Sequence, residues 1–208
     1  MQGDLFDALG RDVTRDLGDG AWLRIVEGFV PEDAATMAAL VAELPLRQET
    51  LTIAQQTWPT PRLTSWHGDP GATYTYSRRT FEPEAWTPGL AAIRDALDEV
   101  VGARFNGCLA NYYRSGDDSM GAHADDEPEL GPNAPHDVLI ASVSLGARRR
   151  FVLQRQRGAR ERIVLELGEG NLLVMGGATQ RDFRHLVPRT KRVVGPRLNL
   201  TFRIIRAL

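Results

Sequence analysis

The chain has 208 residues, 42% hydrophobic and 25% charged, which is typical of a soluble globular protein and excludes collagen-like, coiled-coil and wholly disordered chains. Its length predicts a single domain. No stretch approaches the roughly 18 apolar residues of a membrane span, and the acidic N-terminus does not resemble a secretory signal. The only cysteine, Cys108, excludes an internal disulfide and suits a reducing cytoplasm, so we expect a cytoplasmic protein.

The net charge of −2 conceals an uneven distribution of basic residues. Residues 148–208 contain 15 Lys or Arg against 4 Asp or Glu, whereas residues 1–147 contain 10 against 23. Every basic residue except Lys191 is an arginine, the side chain that pairs bidentately with phosphate. The C-terminal part therefore predicts a phosphate-binding face, although a GC-rich genome would produce the same excess of arginine.

The first half of the chain predicts two amphipathic helices. Residues 1–20 are polar and rich in Gly and Asp, and we expect them to form a flexible N-terminal leader. Apolar residues at helical spacing predict helices over 31–44 and 88–101, each with a proline in its first turn. Between them, residues 46–72 are rich in Trp, Pro and Gly, which indicates loops and short ribbons.

After residue 105 the apolar pattern changes to that of short strands. Apolar runs lie at 108–113, 138–145, 151–153, 163–167, 172–175 and 198–205. Strands of this length, separated by turn residues, are typical of an antiparallel sandwich or barrel. Helices followed by strands predict an α+β fold in which the N-terminal helices buttress a β core.

Histidines are the first candidates for chemistry, because the chain has only His67, His123, His136 and His185. His123 and Asp125 lie two residues apart, so a strand would place both side chains on one face. A β-barrel could return His185 to this pair, which would give the facial triad of non-haem Fe(II) oxygenases. The alternative for His-x-Asp is a surface histidine beside a solvated acid. His67 and His136 lie in loop-like contexts and are assigned no role.

A second clue is the strand predicted over 196–203, whose polar side chains share one face. These are Arg197, Asn199, Thr201 and Arg203. A surface strand would have the same pattern. However, two arginines on one face also match a dicarboxylate, because guanidinium pairs bidentately with carboxylate. An iron triad beside such an anchor indicates a 2-oxoglutarate-dependent dioxygenase.

Four segments resemble, in order and spacing, the core of the AlkB family of Fe(II)/2-oxoglutarate-dependent nucleic-acid dealkylating dioxygenases. They span residues 111–131, 140–147, 172–180 and 197–203. The resemblance implies one dioxygenase domain over 21–208, with a double-stranded β-helix (jelly-roll) core at about 105–206 and a nucleotide-recognition lid at about 46–80. Residues 73–77 and the acids after His123 look most like the branch that acts on double-stranded DNA.

The resemblance also implies roles for individual residues. His123, Asp125 and His185 would hold Fe(II); Asn111, Tyr113, Arg197, Asn199, Thr201 and Arg203 would bind 2-oxoglutarate; Tyr74, Tyr76 and Asp126 would contact the damaged base. The implied reaction is DNA repair by oxidative demethylation of 1-methyladenine and 3-methylcytosine. It releases formaldehyde while 2-oxoglutarate and O₂ become succinate and CO₂. Both lesions are cationic, so a carboxylate and aromatic faces would favour them.

Contacts with the duplex depart from the family pattern. The duplex-acting branch inserts an apolar wedge from a hairpin before the Pro-Arg at 61–62. The corresponding stretch, 51–58, has no aromatic residue at the ungapped position; Ile53, or Trp58 after a register shift, is the candidate wedge. Single-stranded DNA therefore remains an alternative substrate. Arginine clusters at 148–150, 155–162 and 189–192 are the candidate phosphate contacts.

Residues 2–6, Gln-Gly-Asp-Leu-Phe, resemble the peptide by which bacterial repair proteins bind the sliding clamp. The alternative is that Leu5 and Phe6 pack on the domain itself. The resemblance implies a bacterial, nucleoid-associated, monomeric enzyme. Two other interpretations stay open: the same chemistry on RNA or protein, and a non-catalytic nucleic-acid-binding jelly roll.

Overall fold

The computed structural model describes residues 12–31, 34–53, 56–76, 79–158 and 160–206. The first half of the chain forms β1 (Asp12–Gly18), β2 (Ala21–Val26), α1 (Ala34–Glu43), β3 (Thr50–Ile53), β4 (Gln56–Pro59), β5 (Leu63–Gly68), β6 (Tyr74–Tyr76), β7 (Arg79–Phe81) and α2 (Pro88–Val101). The second half forms β8 (Gly107–Tyr113), β9 (Met120–His123), a 3₁₀ turn (Pro128–Leu130), β10 (Ile140–Gly146), β11 (Arg149–Arg155), β12 (Arg162–Leu167), β13 (Asn171–Gly177), α3 (Thr179–Asp182), β14 (Phe183–Val187) and β15 (Arg197–Arg203).

Two antiparallel sheets face each other. The large sheet has the order β1-β2-β13-β10-β15-β8-β5 and the small sheet the order β12-β11-β14-β9. Strands β13, β10, β15 and β8 of the large sheet face the four strands of the small sheet, and the two sets form the halves of a double-stranded β-helix. This confirms the predicted α+β fold with a jelly-roll core. Two hairpins, β3-β4 and β6-β7, stand outside these sheets.

Apolar side chains form two buried layers, one on each side of the large sheet. Between the sheets, residues such as Ile140 and Leu173 pack with Leu153 and Leu165 of the small sheet. On the other side, α1 and α2 pack against a layer that includes Leu198, Leu200 and Phe202 of β15. Because side chains alternate along a strand, the polar residues of β15 must face the gap between the sheets. This alternation places them at the functional site.

Helix α2 has the predicted bounds, and its ends show why. The Thr87 side chain accepts a hydrogen bond from the Leu90 backbone amide, Pro88 occupies the first turn, and Gly102 adopts the left-handed conformation at the C-terminus. Helix α1 lies within the predicted 31–44. No helix in the described part of the chain is long and apolar enough to cross a membrane.

Two predictions for the first half of the chain were wrong in part. Strand β1 pairs along its length with β2, so the flexible leader does not extend over residues 12–20; residues 1–11 lie outside the description. Most of β1 is exposed and only Leu17 is buried, which is why its sequence looks polar. Likewise, residues 63–68 of the expected loop region form β5, which extends the large sheet beside β8.

Candidate metal centre and active site

His123, Asp125 and His185 meet at the mouth of the gap between the sheets. His123 on β9 and His185 on β14 are directly paired across the small sheet. The Nε2 atoms of His123 and His185 lie 3.9 and 3.8 Å from the Asp125 carboxylate oxygens, and one ligand atom from each residue lies within 4.8 Å of the others. Two imidazoles and one carboxylate converging in this way are the donor set of a non-haem Fe(II) site.

A β-bulge in β9 directs His123 towards this centre. The pairing with β14 shifts register between His123–His185 and Met120–Val187. The extra residue turns Met120 and His123 inward while Gly121 and Ala122 are exposed. Asp125 lies beyond the end of β9, so the expectation of one strand carrying both ligands was wrong.

The Asp125 carboxylate is buried between cations and the two imidazoles. Arg203 Nη2 donates to Oδ1 at 2.5 Å, whereas Oδ2 is buried without a hydrogen-bond donor among the described residues. Burial alone would raise the pKa of Asp125, but Arg203, His185 and His123 together lower it. The group is therefore an anionic ligand with one unpaired buried oxygen, as a metal site requires.

Both imidazoles are held in the neutral form that binds metals. His123 Nδ1 donates to the Gly121 carbonyl at 2.9 Å, which leaves Nε2 free of a proton and facing the centre. The His185 ring stacks on Phe151, with ring centroids 5.1 Å apart. Burial lowers the pKa of both histidines, and together with the neighbouring His123 it lowers that of His185 to about 3.

Between the sheets lies a cavity with polar and apolar walls, lined in part by all three triad residues and here called the inner cavity. Among the residues predicted to bind 2-oxoglutarate, it is lined by Asn111, Tyr113, Asn199, Thr201 and Arg203. The structure thus brings these residues together with the triad. The sequence pattern alone had left a surface strand as an alternative for β15, and the burial of all its residues excludes it.

Arg197, the predicted carboxylate anchor, is almost completely buried on the same face of β15. Its Nη2 donates to Ser144 Oγ at 2.8 Å, and its guanidinium lies 5.2 Å from the centre of the Tyr113 ring. Nε and Nη1 have no hydrogen-bond partner among the described residues, and burial lowers the Arg197 pKa. A buried guanidinium with unpaired donors fits the carboxylate of 2-oxoglutarate.

His123 also lines a second, wider cleft, here called the outer cleft. It shares Leu109, Met120, His123 and Arg203 with the inner cavity. Its remaining wall includes aromatic and acidic side chains: Trp66, Phe81, Glu49, Glu82 and Glu84. His123 therefore borders both cavities, whereas Asp125 and His185 line only the inner one.

Of the residues predicted to contact the damaged base, the structure describes the side chains of Trp58 and Asp126. Tyr74 and Tyr76 occupy β6, and Ile53 ends β3, but their side chains lie outside the description. Trp58 on β4 is 57% exposed and pairs with Leu51, which lines the outer cleft. Directly paired residues share one face of a hairpin, so Trp58 lies on the cleft side.

Sequence reasoning missed two charged residues close to the site. The first is Glu127, which is mostly buried, with its Oε1 3.8 Å from Arg203 Nη1. The preceding Asp126, which was predicted to contact the base, is exposed and lines neither cavity. Arg62 is buried in the wall of the outer cleft and donates from Nε to Asn111 Oδ1 at 2.7 Å. In the sequence, Arg62 stood out only as part of the Pro-Arg pair at 61–62. Its hydrogen bond to Asn111 joins the residue before β5 to strand β8, so no local pattern predicts it.

The predicted phosphate cluster at 148–150 is not a uniform basic surface. Arg149 is buried and donates to the carbonyls of Ser115, Asp118 and Pro188, so it ties loops together and cannot reach a phosphate. Arg148 and Arg150 form ion pairs with acids of the neighbouring segments. Among the described residues from 148 onward, the other exposed basic residues are Arg157, Arg160, Arg162, Arg184, Arg189, Lys191, Arg192 and Arg206.

The two remaining histidines do not join the site. His67 lies on β5 rather than in a loop, buried, with its ring nitrogens bonded to Ser65 Oγ and the Ala85 carbonyl. His136 is exposed in a turn.

The fold and the site together define a jelly-roll oxygenase that uses non-haem iron and 2-oxoglutarate. The sequence profile described as the 2OG-Fe(II) oxygenase superfamily matches residues 23–203. The chain is 45% identical over 152 residues to the DNA oxidative demethylase ALKBH2 of Mus musculus, and 39% identical over 189 residues to the human alpha-ketoglutarate-dependent dioxygenase alkB homolog 3. It therefore belongs to the AlkB family within the 2OG-Fe(II) oxygenase superfamily.

These alignments cover unequal shares of each protein. They include 70% and 86% of this chain, but only 62% and 64% of the two relatives, so the chain spans less than two thirds of their length. The Arabidopsis thaliana protein named DNA oxidative demethylase ALKBH2 is 34% identical over 92% of this chain and 69% of its own. The solved structure of OsALKBH1 superposes with a TM-score of 0.58 at 18% identity, over 92% of this chain and all of that one, and supports the fold.

Proposed function

We propose that this protein removes N-alkyl groups from DNA bases by oxidation, with Fe(II) as cofactor and 2-oxoglutarate and O₂ as co-substrates. The observation that carries the proposal is the arrangement of two cavities around one triad. The inner cavity and Arg197 provide a site for a dicarboxylate, and the outer cleft brings a second, larger molecule to the same His123. The relatives named DNA oxidative demethylases support DNA as the substrate.

When bound, Fe(II) with 2-oxoglutarate and O₂ supplies the oxidation of the alkyl C–H bond, after which formaldehyde, succinate and CO₂ leave. The protein's part is to hold and orient. His123, Asp125 and His185 would hold the metal from one side, and Arg203 keeps Asp125 ionised. Arg197 would fix the far carboxylate of 2-oxoglutarate, while the apolar residues around the centre exclude water.

The walls of the outer cleft favour a cationic base. Trp66 and Phe81 are aromatic, and the wall carries three carboxylates, Glu49, Glu82 and Glu84, against three arginines, Arg47, Arg62 and Arg203, of which Arg203 is already bound to Asp125. Aromatic faces and carboxylates attract positive charge. This supports 1-methyladenine and 3-methylcytosine, whose methyl groups would reach the centre only after the base is flipped out of the helix.

The β3-β4 hairpin supports a contact with the bases that flank the lesion. Trp58 projects into solvent on the face that also carries Leu51 of the cleft wall. An exposed indole at that position would stack on an exposed base. Whether the hairpin also opens a duplex is what a comparison of single- and double-stranded substrates measures.

The test is formaldehyde release from a 3-methylcytosine oligonucleotide, single- and double-stranded, with Fe(II), ascorbate and 2-oxoglutarate. We expect release on DNA that stops when 2-oxoglutarate is omitted. Matched RNA and methylated peptide substrates distinguish the same chemistry on RNA or protein. Binding of methylated DNA without consumption of 2-oxoglutarate would contradict the proposal and favour a non-catalytic nucleic-acid-binding jelly roll.

We also propose that residues 2–6, which lie outside the described part of the chain, bind the bacterial sliding clamp, and that the enzyme acts as a monomer at the nucleoid. The support is the sequence Gln-Gly-Asp-Leu-Phe. A pull-down with purified clamp should retain the wild-type chain and lose the Leu5→Ala, Phe6→Ala double variant. Equal retention of both would contradict clamp binding.

A further inference from the structure

The backbone amide of Asp125 needs a partner outside the sheet. Strand β9 ends at His123, so residues 124–127 have no ladder hydrogen bonds, yet Asp125 is buried. A buried backbone N–H without an acceptor is costly. Gln180 supplies the acceptor: its Oε1 lies 2.9 Å from the Asp125 backbone nitrogen, across 55 residues of sequence.

The Gln180 side chain is fixed in one orientation. It is 1% exposed, and its Nε2 lies 3.6 Å from Met175 Sδ, a weak acceptor. Turning the amide over would set two N–H groups against each other at Asp125. The oxygen must therefore face Asp125, and the residue can only act as an acceptor there.

Helix α3 anchors Gln180 to structure on both sides. The neighbouring Thr179 hydroxyl donates to the Gly176 carbonyl at 2.7 Å and accepts from the Trp22 backbone amide at 3.2 Å. Trp22 belongs to β2, which lies outside the jelly-roll strands. In the other direction α3 leads directly into β14 and His185. Gln180 therefore joins the segments that carry two of the three ligands.

We propose that Gln180 is a positioning residue for the metal centre: by holding the Asp125 backbone, it fixes where the carboxylate meets His123 and His185. Outer contacts of this kind change metal affinity by about 10- to 100-fold when they are removed. The proposal rests on the metal site and not on the identity of the substrate, so a metal-binding experiment tests it separately from demethylation.

The experiment is a titration of the metal-free full chain with Mn(II), followed by the EPR signal of free Mn(II). Gln180→Met keeps the length of the side chain and removes the oxygen. We expect its Kd for Mn(II) to rise about 10-fold, with an altered Co(II) absorption spectrum. Gln180→Glu restores an acceptor and should bind Mn(II) within about threefold of wild type.

The matched control is Gln154→Met, the same substitution at an exposed glutamine of β11, which should leave the Kd unchanged. If Gln180→Met does not fold, as judged by circular dichroism, Gln180→Asn replaces it, because its shorter amide cannot reach Asp125. An unchanged Kd and Co(II) spectrum in a folded variant, even with a lower melting temperature, would overturn the proposal. So would a Gln180→Glu variant as weak as Gln180→Met.

Discussion

The inner cavity and the outer cleft share His123 but are built differently. The inner cavity lies between two sheets. Most of its polar residues lie on strands that pair with a neighbouring strand on each side. The wall of the outer cleft includes residues of the hairpins β3-β4 and β6-β7. Each hairpin is a separate two-stranded sheet, so among the described residues its strands pair only with one another. The site proposed for iron and 2-oxoglutarate is thus built on paired strands between the sheets, whereas the cleft proposed for the base is built largely on hairpins outside them.

The comparison predicts that damage to the shared triad removes activity on every substrate. Asp125→Ala should lower formaldehyde release by more than about 1,000-fold, since the metal would lose its anionic ligand and the buried Arg203 would lose its counter-charge. Release is measured on 3-methylcytosine DNA, with circular dichroism to check folding. Asp137→Ala, at an exposed position in the loop before β10, is the control. Retained activity in a folded Asp125→Ala variant would refute the metal assignment.

A change at Arg197, the predicted carboxylate anchor on the same strand as the polar lining of the inner cavity, should affect 2-oxoglutarate and not DNA. Arg197→Met removes the buried guanidinium, so we expect the KM for 2-oxoglutarate to rise about 100-fold, as when one partner of a buried charge pair is lost. The Kd for methylated DNA should stay the same. Arg104→Met, at an exposed position between α2 and β8, serves as the control. A DNA defect of similar size would show that the two cavities are not separable.

A change at the rim of the outer cleft should have the opposite signature. Trp58→Ala should weaken binding of a methylated oligonucleotide about 10-fold, the usual worth of one stacked base, while the KM for 2-oxoglutarate stays constant. Trp58→Phe should keep most of the affinity. Fluorescence anisotropy on single- and double-stranded DNA measures both effects. An alanine variant with wild-type affinity on both strands would exclude Trp58 from the interface.

The loop that precedes β9 should respond to pH through Asp118. Its carboxylate accepts hydrogen bonds from the Arg114 backbone amide, Nε and Nη2, and these bonds hold the Asp118 pKa below its ordinary value of 3.8. A lowered pKa stabilises the fold above pH 3.8, and this contribution disappears as the pH falls through the folded-state pKa. Asp118→Asn should cost about 1 kcal/mol at pH 7, after allowance for the solvent exposure of Arg114.

Urea unfolding of wild type and Asp118→Asn at several pH values checks this prediction. The difference in unfolding free energy should be constant from pH 5 to 8 and should shrink below about pH 3.8. Asp117→Asn, at the exposed neighbouring position, should show no difference at any pH. A difference that grows as the pH falls would contradict the assigned sign.

The smallest effect is expected for the chemical reactivity of Cys108. This residue lies on β8, on the face of the large sheet that packs against the helices. Cys108 on β8 is fully buried among apolar residues, and burial raises the pKa of its thiol strongly. A neutral, inaccessible thiol does not react. The native protein should therefore be inert to Ellman's reagent and should release one equivalent of thiol in urea, with Cys108→Ser as the blank. Rapid reaction of the native chain would mean that the wall opens.

Local patterns predicted the parts of the molecule that depend on neighbouring residues. Helix α2 appeared with its predicted bounds because Thr87, Pro88 and Gly102 mark its ends within the sequence itself. The alternation of β15 predicted that its four polar residues share a face. The triad and the family could be recognised because the types of residue and the spacing between them can be read directly from the sequence.

Only the tertiary structure decided what fills the space between distant segments. The bulge in β9, the Arg62–Asn111 contact, the buried Arg149 and the strand β1 depend on pairings that no local period encodes. The three consecutive arginines 148–150 look alike in the sequence but differ in the structure. Arg149 is buried and bonded to backbone carbonyls, whereas Arg148 and Arg150 form exposed ion pairs. Their burial depends on which distant segments pack against them. The sequence by itself determined which chemical groups are present and their local geometry. Long-range packing determined which of them meet, since hydrogen bonds such as that from Asp125 to Gln180 join residues far apart in the chain.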